Sequence, residues 1–246
     1  MRNWRERHPI QFMALFLLVY LLFFGFLETV NQTPRLWLHC GLDDVIPFCK
    51  YAIVPYVLWF LYVPGVLLFL LRRAPRQEFW RLCLPLFAGM MLALTFCLVV
   101  PNGVTLRPRY VAGSDVFART VRLLWRADTS TNVCPSIHVF NSVMVDLAVQ
   151  RCSCLASRRG QWVRWGSRLL CVSIVLSTML LKQHSVIDAV CGLVLAMTLD
   201  AAAGLMQREE PRRSRRALLR LRKLRAHNNK NRPVPCGMGR FFIPNS

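Results

Sequence analysis

His184 and Asp188 stand four residues apart, a spacing that puts both on one face of a helix. There the carboxylate can accept one ring N–H and leave the other imidazole nitrogen basic and aimed, which is the His–Asp half of a catalytic triad. Taken alone the spacing is weak, because such pairs are common in ordinary surface and buried contacts. Its company gives it weight. A second histidine stands in Pro135-Ser136-Ile137-His138, where Pro135 can open a helix whose first N–H groups lack partners, an end that attracts phosphate. Upstream, Arg107-Pro108 begins a long loop, residues 101–135, that runs through the polar stretch Asp128-Thr129-Ser130-Thr131-Asn132. These groups converge only if the surrounding elements bring them to one level.

Those elements are membrane helices. The chain has 246 residues, 54% of them hydrophobic, and residues 10–27, 51–71 and 82–100 contain no charged side chain. Each run approaches or reaches the ~20 residues needed to cross a bilayer. The first follows Arg2, Arg5 and Arg7 as a secretory signal would, but it is too long for one and no small-x-small site follows, so it reads as a retained helix. Residues 137–149, 169–181 and 186–206 are less oily and carry His138, Asn141, Asp146, Asp188 and Asp200. Polar groups inside a span face a cavity or one another, so these three helices belong in the interior of the bundle. The expectation is an all-α polytopic bundle of six helices over residues 1–206, followed by a basic tail, 207–246.

The net charge of +20 acquires meaning from its placement. With the amino terminus in the cytoplasm, the inner segments hold 3, 4, 5 and 12 basic residues, or 24 of the 32. The remaining 8, namely Arg35, Lys50, Arg107, Arg109, Arg119, Arg122, Arg126 and Lys182, fall outside. By the positive-inside rule both termini are cytoplasmic and the Arg107, His138 and His184 segments are extracytoplasmic, in the plasma membrane if the host is bacterial. Nucleic acid is not the expected partner; a bilayer with an anionic inner leaflet is, and the leucine- and arginine-rich tail suits its headgroups. The ten cysteines lack the paired spacing of a zinc site, and Cys40 and Cys49 share an outer loop as free thiols or as a disulfide. Asp146, near Arg151, and Asp200 read as paired or hydrated structural groups. Trp37, Trp59, Trp80, Trp162 and Trp165 read as interfacial anchors. Asn31-Gln32-Thr33 is a glycosylation sequon in a eukaryotic host.

Arg107-Pro108, Pro135-Ser136-Ile137-His138 and the run from Ser177 through His184 to Asp188 resemble the three ordered motifs of the type 2 phosphatidic acid phosphatase superfamily. The resemblance implies a six-helix bundle in which His184 attacks phosphorus, Asp188 orients it and His138 protonates the leaving group, with neither metal nor cofactor. It implies phosphate binding by Arg107 and Ser136, on a phospholipid or polyprenyl phosphate substrate. The pattern departs at three places: the first-motif lysine is Val100, the middle-motif glycine is Ile137, and the third-motif arginine is Thr178. Lys182 and Arg109 are the cations that can replace the missing ones. The third motif without its arginine, the bulky Ile137 and the outer-loop run Leu42-Asp43-Asp44-Val45-Ile46-Pro47-Phe48 look like the inositol phosphorylceramide synthase branch, which transfers a headgroup. The leading expectation is hydrolysis of a lipid phosphate ester through a phosphohistidine, with headgroup transfer as the alternative and lipid binding without catalysis as the second alternative.

Overall fold

The computed structural model describes residues 4–207; the basic tail expected over 207–246 lies outside the described residues apart from Gln207. Among the described residues the chain is helical, with strand confined to two two-residue segments. In order it forms α1 (Trp4–Arg7), α2 (Pro9–Val30), β1 (Leu36–Trp37), α3 (Gly41–Val45), α4 (Ile53–Arg73), α5 (Arg76–Val99), β2 (Asn102–Gly103), α6 (Val116–Ala127), α7 (Ile137–Arg151) and α8 (Arg158–Leu180). A last helix, α9, spans Val186–Gln207, and one compact unit of the chain ends at Ala203.

Among the described residues five helices have the length and apolar composition of membrane spans: Pro9–Val30, Lys50–Arg73, Arg76–Val99, Arg158–Leu180 and Val186–Gln207. The protein is an all-α membrane protein on that ground. The expected third and fifth spans start earlier than the apolar runs suggested. Arg76 to Arg81 begin α5, and Ser157 caps a basic first turn of α8 by accepting a bond from Gly160 N–H at 3.2 Å. The expected helix over residues 137–149 is α7, only 15 residues long. At 1.5 Å per residue it covers about 22 Å, less than the ~30 Å hydrocarbon core. Its length is tolerable because most of its surface faces protein: Val139, Phe140, Asn141, Ser142, Met144, Val145, Asp146 and Val149 are buried.

Helix α7 packs against α8, α5 and α4, α4 also packs against α8 and α5, and α2 lies on α5 with most of its surface exposed. Lipid tails are as apolar as leucine, so contacts within the spans depend on close fit. Two glycines show it. A Cβ on Gly89 of α5 would stand 2.0 Å from the Phe140 ring, and one on Gly192 of α9 would stand 2.5 Å from the Ser136 carbonyl. Phe140, in turn, anchors an apolar cluster with Phe79, Leu86, Met144, Val145 and Ile174.

The connections at the other end are pinned by backbone pairing. β1 runs parallel to β2, with Leu36 opposite Asn102, and Gly103 bridges to Thr131. Asn102 Oδ1 accepts from the N–H groups of Val133 and Cys134 at 3.0 and 2.8 Å. The start and end of the long loop are thereby tied beside the entry to α7. Asn31 joins this network, donating through Nδ2 to Cys97 O at 2.9 Å and to Asn132 Oδ1 at 2.8 Å. It is buried, so the sequon offers no accessible acceptor for a glycan. Cys40 and Cys49 are free thiols. Asp146 pairs with Arg168 at 2.6 Å rather than with Arg151, which instead meets Asp200 at 2.6 Å.

Candidate functional site

Helix α8 ends in a Schellman turn: Gln183 N–H bonds Thr178 O at 3.0 Å, Lys182 N–H bonds Met179 O at 3.0 Å, and Lys182 takes the left-handed conformation at φ 57°. The turn drops His184 just before α9, so His184 precedes the helix that carries Asp188. The pair still meets, with His184 Nδ1 2.7 Å from Asp188 Oδ2 and both side chains buried. This contact fixes the ring and leaves Nε2 as the free nitrogen. Asp188 Oδ1 is buried with no hydrogen-bond partner among the described residues.

His138 sits on the first turn of α7, its ring centroid 5.6 Å from that of His184. Two aromatic rings of α4 hold it: Tyr56 at 4.5 Å and Trp59 at 4.4 Å between centroids. Its Nε2 is buried and unpartnered among the described residues. Trp59 is therefore part of the wall behind His138 rather than a simple interfacial anchor, whereas Trp162 and Trp165 are widely exposed as such anchors are. Ser136 caps α7 by accepting from Val139 N–H at 3.4 Å, and its own N–H donates to Asp188 O at 3.0 Å. That backbone bond locks the start of α7 to α9, and so the two histidine-bearing segments to each other.

Arg107 reaches the same place from the loop. Its guanidinium donates to Trp125 O at 3.2 Å, Asp128 O at 2.8 Å, Thr129 O at 2.9 Å and Gln183 Oε1, next to His184. Burial pulls its pKa below the ordinary arginine value, a cost that the nearby Asp128 carboxylate opposes. Arg109, by contrast, is exposed and makes none of these bonds. Lys182 is buried and its ammonium donates to the carbonyls of Asp43 and Ile46 at the end of α3, so two of its three donors are committed to protein.

Two carboxylates near these residues had no role assigned from spacing. Asp128 follows α6 and accepts from the Tyr56 hydroxyl at 3.2 Å, linking the Arg107 loop to the ring behind His138. Burial raises its pKa, against the opposing pull of His184 and Arg107. Asp43 fastens α3 onto the His184 turn: Oδ1 accepts from Val186 N–H at 2.8 Å, while Oδ2 accepts from Ser185 Oγ at 2.6 Å and Cys40 N–H at 2.9 Å. Burial alone would raise its pKa, but these donors outweigh it and hold the carboxyl below its ordinary value. The only sequence signals were Asp43-Asp44 ahead of Pro47 in the outer loop, and the position of Asp128 at the head of a polar run.

No protein-family model matches the chain, and no curated protein matches it significantly. The geometry therefore carries the chemical argument. An imidazole oriented by a carboxylate, a second imidazole 5.6 Å away between ring centroids, a guanidinium bonded to the neighbouring Gln183 and a helix start nearby form a set able to bind an anion and transfer it through nitrogen.

Proposed function

We propose that the chain is an integral membrane enzyme of the type 2 phosphatidic acid phosphatase kind that hydrolyses a lipid phosphate ester through a phosphohistidine. The observation that carries this reading is the 2.7 Å contact between His184 Nδ1 and Asp188 Oδ2, with the His138 ring 5.6 Å away. His184 Nε2 attacks phosphorus, Asp188 stabilises the imidazolium, and His138 gives a proton to the departing alkoxide. Water then attacks the phosphoenzyme, returning His184. Arg107 and Ser136 hold phosphate oxygens; Lys182 and Arg109 are second-rank ligands, Lys182 through its remaining donor. In this reading α7 is the fourth of six spans, both termini are cytoplasmic, and the site opens on the extracytoplasmic side.

A second reading, transfer of a phospho-headgroup to an alcohol, is favoured by Asp128. A carboxylate beside Arg107 disfavours a phosphate dianion and suits a diester or a hydroxyl-bearing acceptor. Purified protein is incubated with phosphatidate, phosphatidylglycerophosphate, a polyprenyl pyrophosphate and an inositol phospholipid, with and without inositol or diacylglycerol. Free phosphate without new lipid supports hydrolysis; a new phospholipid that depends on the acceptor supports transfer. Binding with neither product, in a folded protein, leaves lipid binding as the function. His184→Ala is expected to abolish turnover and any acid-labile phosphoenzyme. His138→Ala is expected to lose about 10²- to 10⁴-fold on alkyl phosphates and less on an activated aryl phosphate. Asp188→Asn is expected to fall between them. A phosphoenzyme in His184→Ala would end the assignment.

A further inference from the structure

The other end of the bundle holds a cavity of about 120 Å³ between α5, α7 and α9, lined by Glu78, Arg81, Leu82, Met144, Ala148, Arg151 and Asp200. It lies far from His184, since Asp200 is twelve residues beyond Asp188 along α9, or about 18 Å at 1.5 Å per residue. Of its four charged residues three have partners within the protein. Arg151 pairs with Asp200 at 2.6 Å, and Glu78 Oε2 accepts from Ser153 N–H at 3.1 Å. Arg81 differs: its Nε is buried without an acceptor, and no carboxylate lies within ion-pair distance of it among the described residues. A guanidinium lining a cavity with an unmet N–H selects an anion, and its planar fork matches phosphate oxygens.

We infer that this cavity is a binding site for the phosphate headgroup of a membrane lipid, separate from the histidine site. Volume and lining both point to a headgroup rather than a whole lipid. At about 120 Å³ the cavity has room for several waters and for a phosphate group. Leu82, Met144 and Ala148 complete the lining beside the charged groups. Along α9 the stripe Asp200, Met197, Leu193 leads away at helical spacing, with Met197 and Leu193 exposed, so apolar chains have a surface to follow. With Arg151 paired to Asp200, Arg81 is the cation of this lining that can meet an anionic headgroup between membrane helices.

The test is native mass spectrometry of the full-length protein in neutral detergent, counting retained ligands with dioleoylphosphatidylglycerol, phosphate-free dioleoylglycerol or inorganic phosphate. Expected is retention of dioleoylphosphatidylglycerol that weakens about tenfold in Arg81→Gln, with dioleoylglycerol and inorganic phosphate held poorly by both proteins. Arg76→Gln removes the same charge from an exposed position just outside the cavity and is expected to retain the lipid as the parent does. Asp200→Asn frees Arg151 and is expected to tighten retention, which keeps the inference testable should Arg81→Gln fail to fold. Equal loss in Arg76→Gln and Arg81→Gln, undiminished retention in Arg81→Gln, or weaker retention in Asp200→Asn would overturn the site. Inorganic phosphate bound as tightly as the lipid would overturn the lipid assignment.

Discussion

Asp43 is the residue on which the local arrangement of the His184 turn depends most. Its carboxylate receives Ser185 Oγ, Val186 N–H and Cys40 N–H, so one charged group caps α9 and closes α3 at once. Hydrogen bonds to a charged acceptor contribute ~1.5–3 kcal/mol, and an unmet buried donor costs a similar amount. Asp43→Asn keeps one acceptor oxygen and replaces the other with a donor that faces donors. It is expected to lower stability at pH 6–7 by about 2 kcal/mol, measured by unfolding in detergent. The pH dependence has a definite sign. The folded pKa is depressed, so Asp43 contributes its stability above the ordinary carboxylate value and loses it as pH falls through the lower folded one. The difference between parent and Asp43→Asn should therefore persist at pH 5 and shrink below the ordinary carboxylate range. A difference that vanishes already between pH 7 and 5 would show that Asp43 is not held ionised by these donors. Asp128 has the opposite sign: burial raises its pKa, so the cost of holding it ionised in the fold falls away as pH drops through that raised value.

Among the elements, the contact between α7 and α9 decides whether two histidines can act on one group. It is a backbone approach: Ser136 N–H bonds Asp188 O at 3.0 Å, and Gly192 lies where a Cβ would meet Ser136 O at 2.5 Å. A carbonyl in a capped helix start cannot swing aside as a side chain can. Gly192→Ala is expected to push α9 off α7, destabilise the protein by about 1–3 kcal/mol and separate the His138 and His184 rings. Activity on any lipid phosphate should fall by much more than stability, because a misplacement of about 1 Å can cost 10²-fold. Gly166→Ala, in α8, meets nothing within 4 Å and serves as the control. If Gly192→Ala matches Gly166→Ala in both thermal stability and turnover, the close approach of the two helices has no functional weight. The Lys182 ammonium ties the end of α3 to the turn after α8, so Lys182→Met is expected to loosen α3 even where phosphate affinity is unchanged.

For the molecule as a whole, the arrangement of charge makes a prediction about the membrane. In the proposed six-span topology the basic residues divide 24 to 8 between the two sets of connections, and the positive-inside rule then predicts both termini and the α4–α5 and α7–α8 connections to be cytoplasmic. In a background without reactive native thiols, a cysteine at Gly113 is expected to react with an impermeant reagent in intact cells, and one at Ser157 only after permeabilisation. The reverse pattern would invert the topology and move the histidine pair to the cytoplasmic side. The short α7 makes the same experiment informative about span number, since the two positions lie on either side of it.

Periodicity and composition determined the class of this protein by themselves. Long apolar runs leave helices to satisfy the backbone within a bilayer, and five helices long and apolar enough to span one are present among the described residues. Sequence spacing also brought His184 and Asp188 within reach, although His184 lies before the helix rather than on it. What spacing could not give was every contact between residues far apart in the chain. Asp43 meets Ser185, and Arg107 meets Gln183, across loops whose closure depends on the β1–β2 pairing and on Asn102. Trp59 could be an anchor or a wall, and only the rotation of α4 against α7 decides that its ring faces His138. Lys182 was free to serve phosphate until its left-handed turn aimed the ammonium at two carbonyls. The physical reason is common to these cases. Local pattern specifies which face of a helix is apolar, whereas the partner of a polar group is chosen by the packing of elements that no short stretch of sequence encodes.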